Sequence, residues 1–227
     1  HHVAETLFQA TAVLTTMVAI SVARDEKPVY ELFAERDIAS LRRPVGWAVL
    51  AGVATALYIW TWPPGVFLIG VLGVFYAVEL SSAYAHGESP EPVAITGAIS
   101  MLTTAVLTLA VIEAVEISAT SFNVVQPMLA LVVAAGCVFM AWFAREWDTR
   151  DIAQGFYPAA IVGIIAVIAG LSALLVPDVF DFFVTQVTRV VGFGRTETAA
   201  TVGEAQPMTL DQAFSRYGFA LAVAAVG

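Results

Sequence analysis

The sequence predicts an all-α polytopic membrane protein, and three observations carry that reading. Of its residues 59% are apolar and only 13% charged, about half the charge of an ordinary soluble domain. Several windows run for roughly 20 apolar residues without a break, the length of helix that crosses a hydrocarbon core of about 30 Å. Those windows are apolar on every side, whereas the strands of a membrane barrel would alternate with period two.

Six spans and the start of a seventh are expected, at about 3–23, 44–62, 65–86, 93–112, 127–145, 158–177 and 217–227, all within one transmembrane domain. Pro44, Pro127 and Pro158 stand near expected helix starts, where a missing N–H costs nothing. Trp62-Pro63-Pro64-Gly65 breaks the chain sharply between the second and third spans. Trp47 at one end of the second span, with Tyr58, Trp60 and Trp62 at the other, gives it an aromatic belt at each interface. Gly52, Ala56, Gly70 and Gly73 are small enough to let helices approach closely.

The connections divide by charge. Segment 24–43 carries Arg24, Lys27, Arg36, Arg42 and Arg43, and segment 146–157 adds Arg150, with Arg145 at its edge. The connection 113–126 has neither Lys nor Arg. The positive-inside rule therefore assigns 24–43 and 146–157 to the cytoplasm. Tyr30, Phe33, Ile38 and Leu41 in the first of these are spaced as a partly amphipathic surface helix. Alternating from that anchor sets His1-His2 outside, together with the long segment 178–216. The part from Asp178 to Val191 is apolar enough to lie on the membrane as a short helix, and Gly192 to Asp211 reads as a loop. His2 and Glu204 then share the extracellular face of a multi-pass plasma-membrane protein.

Several classes are excluded or weakened. A net charge of −9 opposes binding to nucleic acid, whose phosphates need a basic surface. Lys27 is the sole lysine, and acidic loops with so little lysine suit a high-salt host. Cys137 is alone, so no disulfide framework exists. His1, His2 and His86 are too dispersed for a metal pair at helical i, i+4 spacing. The chain opens on His1-His2 without an initiator Met or signal-peptide pattern and closes inside an apolar run, so we read it as an interior piece of a longer polypeptide.

Two places have the residue types for chemistry. His1-His2-Val3-Ala4-Glu5 opens the first helix, with His2 and Glu5 three apart on one face. Acidic residues also favour helix N-termini for electrostatic reasons alone. In the outer loop, Thr201-Val202-Gly203-Glu204-Ala205-Gln206-Pro207 is a polar stretch with one carboxylate. The other polar residues have plainer readings. Glu79 lies near the inner end of its span, His86 sits at a helix end that favours a cation, and Glu113 and Glu116 form a solvated loop face. Arg189, Arg195 and Arg216 are expected outside.

Taken together, the two places resemble a known family. The Thr-Val-Gly-Glu-x-Gln-Pro segment is similar to the fifth-outer-loop signature of oligosaccharyltransferase catalytic subunits, Ser/Thr-Ile/Val-x-Glu followed by x-Gln-Pro. His-His-Val-Ala-Glu resembles the second acidic motif of the archaeal (AglB-type) members, with haloarchaeal ones most similar. The order of the motifs and the number of intervening helices also match, and the resemblance extends over all 227 residues. It implies en bloc transfer of a glycan from a dolichol-phosphate-type lipid to Asn of an Asn-x-Ser/Thr sequon, with inversion at the anomeric carbon. It implies His2 and Glu204 as ligands of a divalent cation, Mn²⁺ or Mg²⁺, and Glu204 as the catalytic residue touching the acceptor amide. The aspartate of the His-His motif would immediately precede His1. The first acidic motif is expected upstream and the sequon-reading Trp-Trp-Asp-Tyr-Gly segment downstream, so this piece alone is expected to be inactive. The implied partners are the lipid-linked oligosaccharide, the acceptor polypeptide and membrane lipid.

Two other classes fit the sequence less well. A secondary transporter predicts inverted repeats and ionisable groups at mid-membrane, and the sequence shows neither. A non-catalytic scaffold subunit gives no reason for Glu204 in a long outer loop.

Overall fold

A computed structural model describes residues 2–25, 38–112 and 121–177, with isolated helical positions at Phe180, Asp181, Val184, Thr185, Thr188, Asp211, Ser215 and Gly218. Six long helices are present among the described residues: α1 (His2–Asp25), α2 (Ile38–Thr61), α3 (Val66–Ala85), α4 (Glu91–Leu109), α5 (Val125–Thr149) and α6 (Tyr157–Leu175). All six are long and apolar enough to cross a membrane. The expected all-α polytopic membrane fold is therefore present. The seventh, at 217–227, falls almost wholly outside the described residues.

One boundary differs in an instructive way. Pro44 was expected near a helix start, yet α2 begins at Ile38 and carries Pro44 inside. Proline removes one N–H and its ring crowds the carbonyl four residues back. Here the loss falls in the second turn of α2, with Arg42 and Arg43 exposed beside it. Ile38 to Arg43, assigned from sequence to a surface segment, thus form the first turns of the spanning helix.

The chain divides into two compact units, residues 1–164 and 165–227. Within the first, α4 is central and packs against α1, α2, α3 and α5, while α1 pairs with α2 and α3 with α5. Its sequence suits that position. Thr96, Ser100, Thr104 and Thr108 recur every fourth residue along one stripe and are at most 3% exposed. Thr96 Oγ1 donates to Pro92 O at 2.8 Å, Thr104 to Ser100 O at 2.9 Å and Thr108 to Thr104 O at 2.8 Å. Ser100 Oγ donates to Gly97 O at 3.2 Å. Each buried hydroxyl is satisfied by the helix that bears it, so the stripe stays compact without unpaired polar groups.

Glycines set the closest approaches. A Cβ at Gly52 of α2 would strike the Ser100 carbonyl oxygen of α4 and lie 2.6 Å from Thr103 Cβ. At Gly97 of α4 it would lie 2.6 Å from Cys137 Sγ, and at Gly73 2.9 Å from Val133 Cγ2. Gly70, expected to be a contact glycine, faces nothing within 4 Å. The second unit contributes the last turns of α6, whose Val167, Ile168, Leu171 and Leu174 are all at least half exposed.

Candidate functional site

The two ends of the first unit differ in chemistry. At one end meet the C-termini of α1, α3 and α5 and the N-termini of α4 and α6. Arg24 Nη2 lies 2.6 Å from Glu79 Oε1, and Arg145 Nη2 lies 2.5 Å from Glu91 Oε1. Tyr84 donates its hydroxyl to Asp148 Oδ1 at 2.5 Å. Tyr157 packs its ring 4.6 Å from that of Tyr84 and donates to Met140 O at 2.7 Å. His86 caps α3, its Nδ1 2.7 Å from Ser82 O, which agrees with the cation-favouring helix end read from sequence. Sequence reasoning had named Glu79, and the structure supplies its partner.

At the opposite end α1 begins, α2 and α4 finish, and α3 and α5 start. Glu5 stands in the first turn of α1, within electrostatic reach of Tyr58 near the end of α2. Tyr58 and Trp62 meet edge to face with centroids 6.2 Å apart, and a Cβ at Gly65 would press on the Tyr58 ring. The approach to α5 is tied by amides. Val125 N–H donates to Asn123 Oδ1 at 2.8 Å, Asn123 N–H to Gln126 Oε1 at 3.0 Å, and Gln126 Nε2 to Ser121 O at 2.8 Å. Asn123 and Gln126 are each 1% exposed, so this knot fixes the α5 start rather than reaching for a ligand. Sequence reasoning passed over both amides, though an Asn two residues before an apolar run is a recognisable capping signal.

His2 is the first residue of α1, and its side chain lies outside what the structure describes. Thr201, Val202, Gly203 and Glu204 all lie outside the described residues. Among the described residues no group of three His, Cys, Asp or Glu side chains is placed to hold a metal.

No protein-family model matches the chain. Over 207 residues it is 44% identical to the dolichyl-monophosphooligosaccharide--protein glycotransferase AglB of Haloferax volcanii. The resemblance to AglB holds. That match takes in 91% of this chain and 20% of the Haloferax protein, so the chain spans about a fifth of the length of the AglB it matches. Solved structures of Archaeoglobus fulgidus AglB share the fold. One, in complex with an inhibitory peptide and a dolichol-phosphate, superposes with a TM-score of 0.71 at 18% identity, over 94% of this chain and 25% of that one. Another, tethered to an acceptor peptide containing the NVT sequon, gives 0.68 at 18% identity, over 97% and 25%.

Proposed function

We propose that the polypeptide containing these residues is an oligosaccharyltransferase of the AglB kind. It moves a glycan en bloc from a dolichol-phosphate-type lipid to asparagine in Asn-x-Ser/Thr sequons of an acceptor polypeptide. The observation that carries this reading is the 44% identity to a dolichyl-monophosphooligosaccharide--protein glycotransferase along nearly the whole chain. The dolichol-phosphate and sequon peptide held by the Archaeoglobus relatives support the two substrate classes.

The helix count supports the place of the reaction. Among the described residues six candidate spans lie between His2 and Glu204, and an even number of crossings returns a chain to the side it left. With the basic connections 24–43 and 146–157 in the cytoplasm, that shared side is the extracellular face of the plasma membrane.

The chemistry then follows from the residue types. The acceptor is an amide nitrogen whose lone pair is delocalised into its carbonyl, so it is a poor nucleophile. The Glu204 carboxylate accepts hydrogen bonds from the amide N–H groups and helps to localise that lone pair. His2 and Glu204 supply one imidazole and one carboxylate, a donor set suited to Mn²⁺ or Mg²⁺ rather than to a structural zinc. Such a cation, when bound, stabilises the charge that develops on the departing phosphate.

The test is Glu204→Gln in the full-length polypeptide, which keeps size and removes charge. Transfer onto a sequon peptide should fall on the order of 100-fold, with binding of the lipid donor little changed. Glu197→Gln, in the same loop outside the motif, should be nearly silent. Equal losses at the two positions would defeat the assignment.

A further inference from the structure

A groove between α1 and α3, unused by the activity proposed above, runs from the Arg24–Glu79 pair, on the Tyr84 side of the first unit, toward the start of α3. It has a volume of about 530 Å³ and runs along α1 from Val13 to Asp25 and along α3 from Leu68 to Glu79. Twelve residues of helix rise about 18 Å, close to the roughly 15 Å depth of one leaflet of a bilayer core. The walls are chiefly apolar, with Thr16 and Ser21 the only hydroxyls among the lining residues. Thr16 already donates to Ala12 O at 2.8 Å. The flank is open to the surroundings, since Met17 and Val71 are 59% and 63% exposed. A leaflet-deep, laterally open apolar groove has the dimensions of a single hydrocarbon chain.

The polar end of the groove identifies the rest of the ligand. Arg24 and Glu79 meet there at 2.6 Å, and the Arg24 side chain is still 41% exposed. Among the described residues the guanidinium donates through Nη2 alone, leaving most of its five N–H groups for another acceptor. Arg24 stands in the last turn of α1, where a long basic side chain reaches the headgroup layer. The acceptor that a membrane offers at the end of a hydrocarbon chain is a phosphodiester, which guanidinium matches in shape and charge. Asp25 lines the same end and opposes a second anion. That opposition gives the site a testable sign.

We propose that this groove binds a glycerophospholipid of the leaflet at the Tyr84 end, with one chain between α1 and α3 and its phosphodiester on Arg24. The inference rests on packing and charge alone and stands apart from the proposed activity. The experiment is native mass spectrometry of the detergent-solubilised full-length polypeptide titrated with phosphatidylglycerol. One lipid should be retained. Arg24→Gln should weaken retention about tenfold, the worth of one charge-assisted hydrogen bond, and Met17→Trp should do the same by filling the groove. Asp25→Asn should strengthen it. Glu79→Gln breaks the ion pair but keeps the guanidinium, and should retain the lipid, which separates loss of the phosphate contact from loss of the helix pairing. Diacylglycerol, which lacks the phosphate, should bind wild type no better than phosphatidylglycerol binds Arg24→Gln. Equal retention by wild type, Arg24→Gln and Met17→Trp would overturn the proposal. So would displacement of phosphatidylglycerol by dolichyl phosphate, which would hand the groove to the glycan donor instead.

Discussion

Gly52→Ala tests whether the α2–α4 contact sets the geometry of the first unit. A methyl at Gly52 meets the Ser100 backbone carbonyl and, at 2.6 Å, Thr103 Cβ. Neither neighbour is the free end of a flexible side chain, so no rotamer change relieves the clash and the helices must separate. Overpacking of this kind costs about 1–3 kcal/mol. Separation also stretches the bond from Thr104 Oγ1 to Gly52 O, now 3.1 Å, and interhelical bonds of this sort contribute about 0.6 kcal/mol within membranes. Against these stands the gain in helix propensity from Gly to Ala, up to about 1 kcal/mol. The net expectation is destabilisation of about 1–3 kcal/mol. Gly70→Ala is the control, because its methyl meets nothing within 4 Å and only the propensity gain remains. Unfolding of the full-length polypeptide in mixed detergent micelles, followed by circular dichroism, measures both. Equal stabilities for the two variants would refute the claim that backbone contact at Gly52 holds α2 against α4.

Two further predictions concern sidedness and the metal. Cysteines introduced at Lys27 and Asp148 should react with impermeant thiol reagents only from the cytoplasmic side and one at Thr198 only from outside; labelling of 27 and 198 from one side would remove the shared face of His2 and Glu204. His2→Ala in the full-length polypeptide should weaken activation by Mn²⁺ or Mg²⁺ while expression stays normal, and unchanged metal dependence would reduce His1-His2 to a helix start.

The spans were legible because each is a run longer than any soluble strand or most soluble helices, and the bilayer imposes that length whatever the neighbours do. What the runs could not show was pairing. Arg24 with Glu79 and Arg145 with Glu91 are 55 and 54 residues apart, and their meeting depends on helix order and depth, which hydropathy does not encode. The glycines make the same point. Gly52, Gly70 and Gly73 look alike in sequence, yet only Gly52 and Gly73 face a neighbouring helix, because rotation about the axis is fixed by the packed whole. Pro44 misled for a local reason, since its fixed φ suits a first turn as well as a second. The candidate site was legible only as two short motifs. Glu204 lies outside the described residues and the His2 side chain with it, so their roles rest on resemblance and on the side of the membrane each is expected to occupy.

The self-satisfied stripe on α4 has a consequence for how the protein is made. A helix destined for the centre of a bundle emerges from the ribosome before α5 exists to shield it. Had its interior positions been Asn or Gln, each would carry amide groups that only a later helix could satisfy. Thr96, Ser100, Thr104 and Thr108 bond instead to carbonyls of their own helix, so α4 enters lipid with its polar groups already paired. Of its hydroxyl donations to backbone, only the second bond of Thr104, to Gly52 O, waits for a partner helix, and α2 has by then been synthesised. A helix at the centre of the unit is thus also one that the insertion machinery can release into the bilayer on its own.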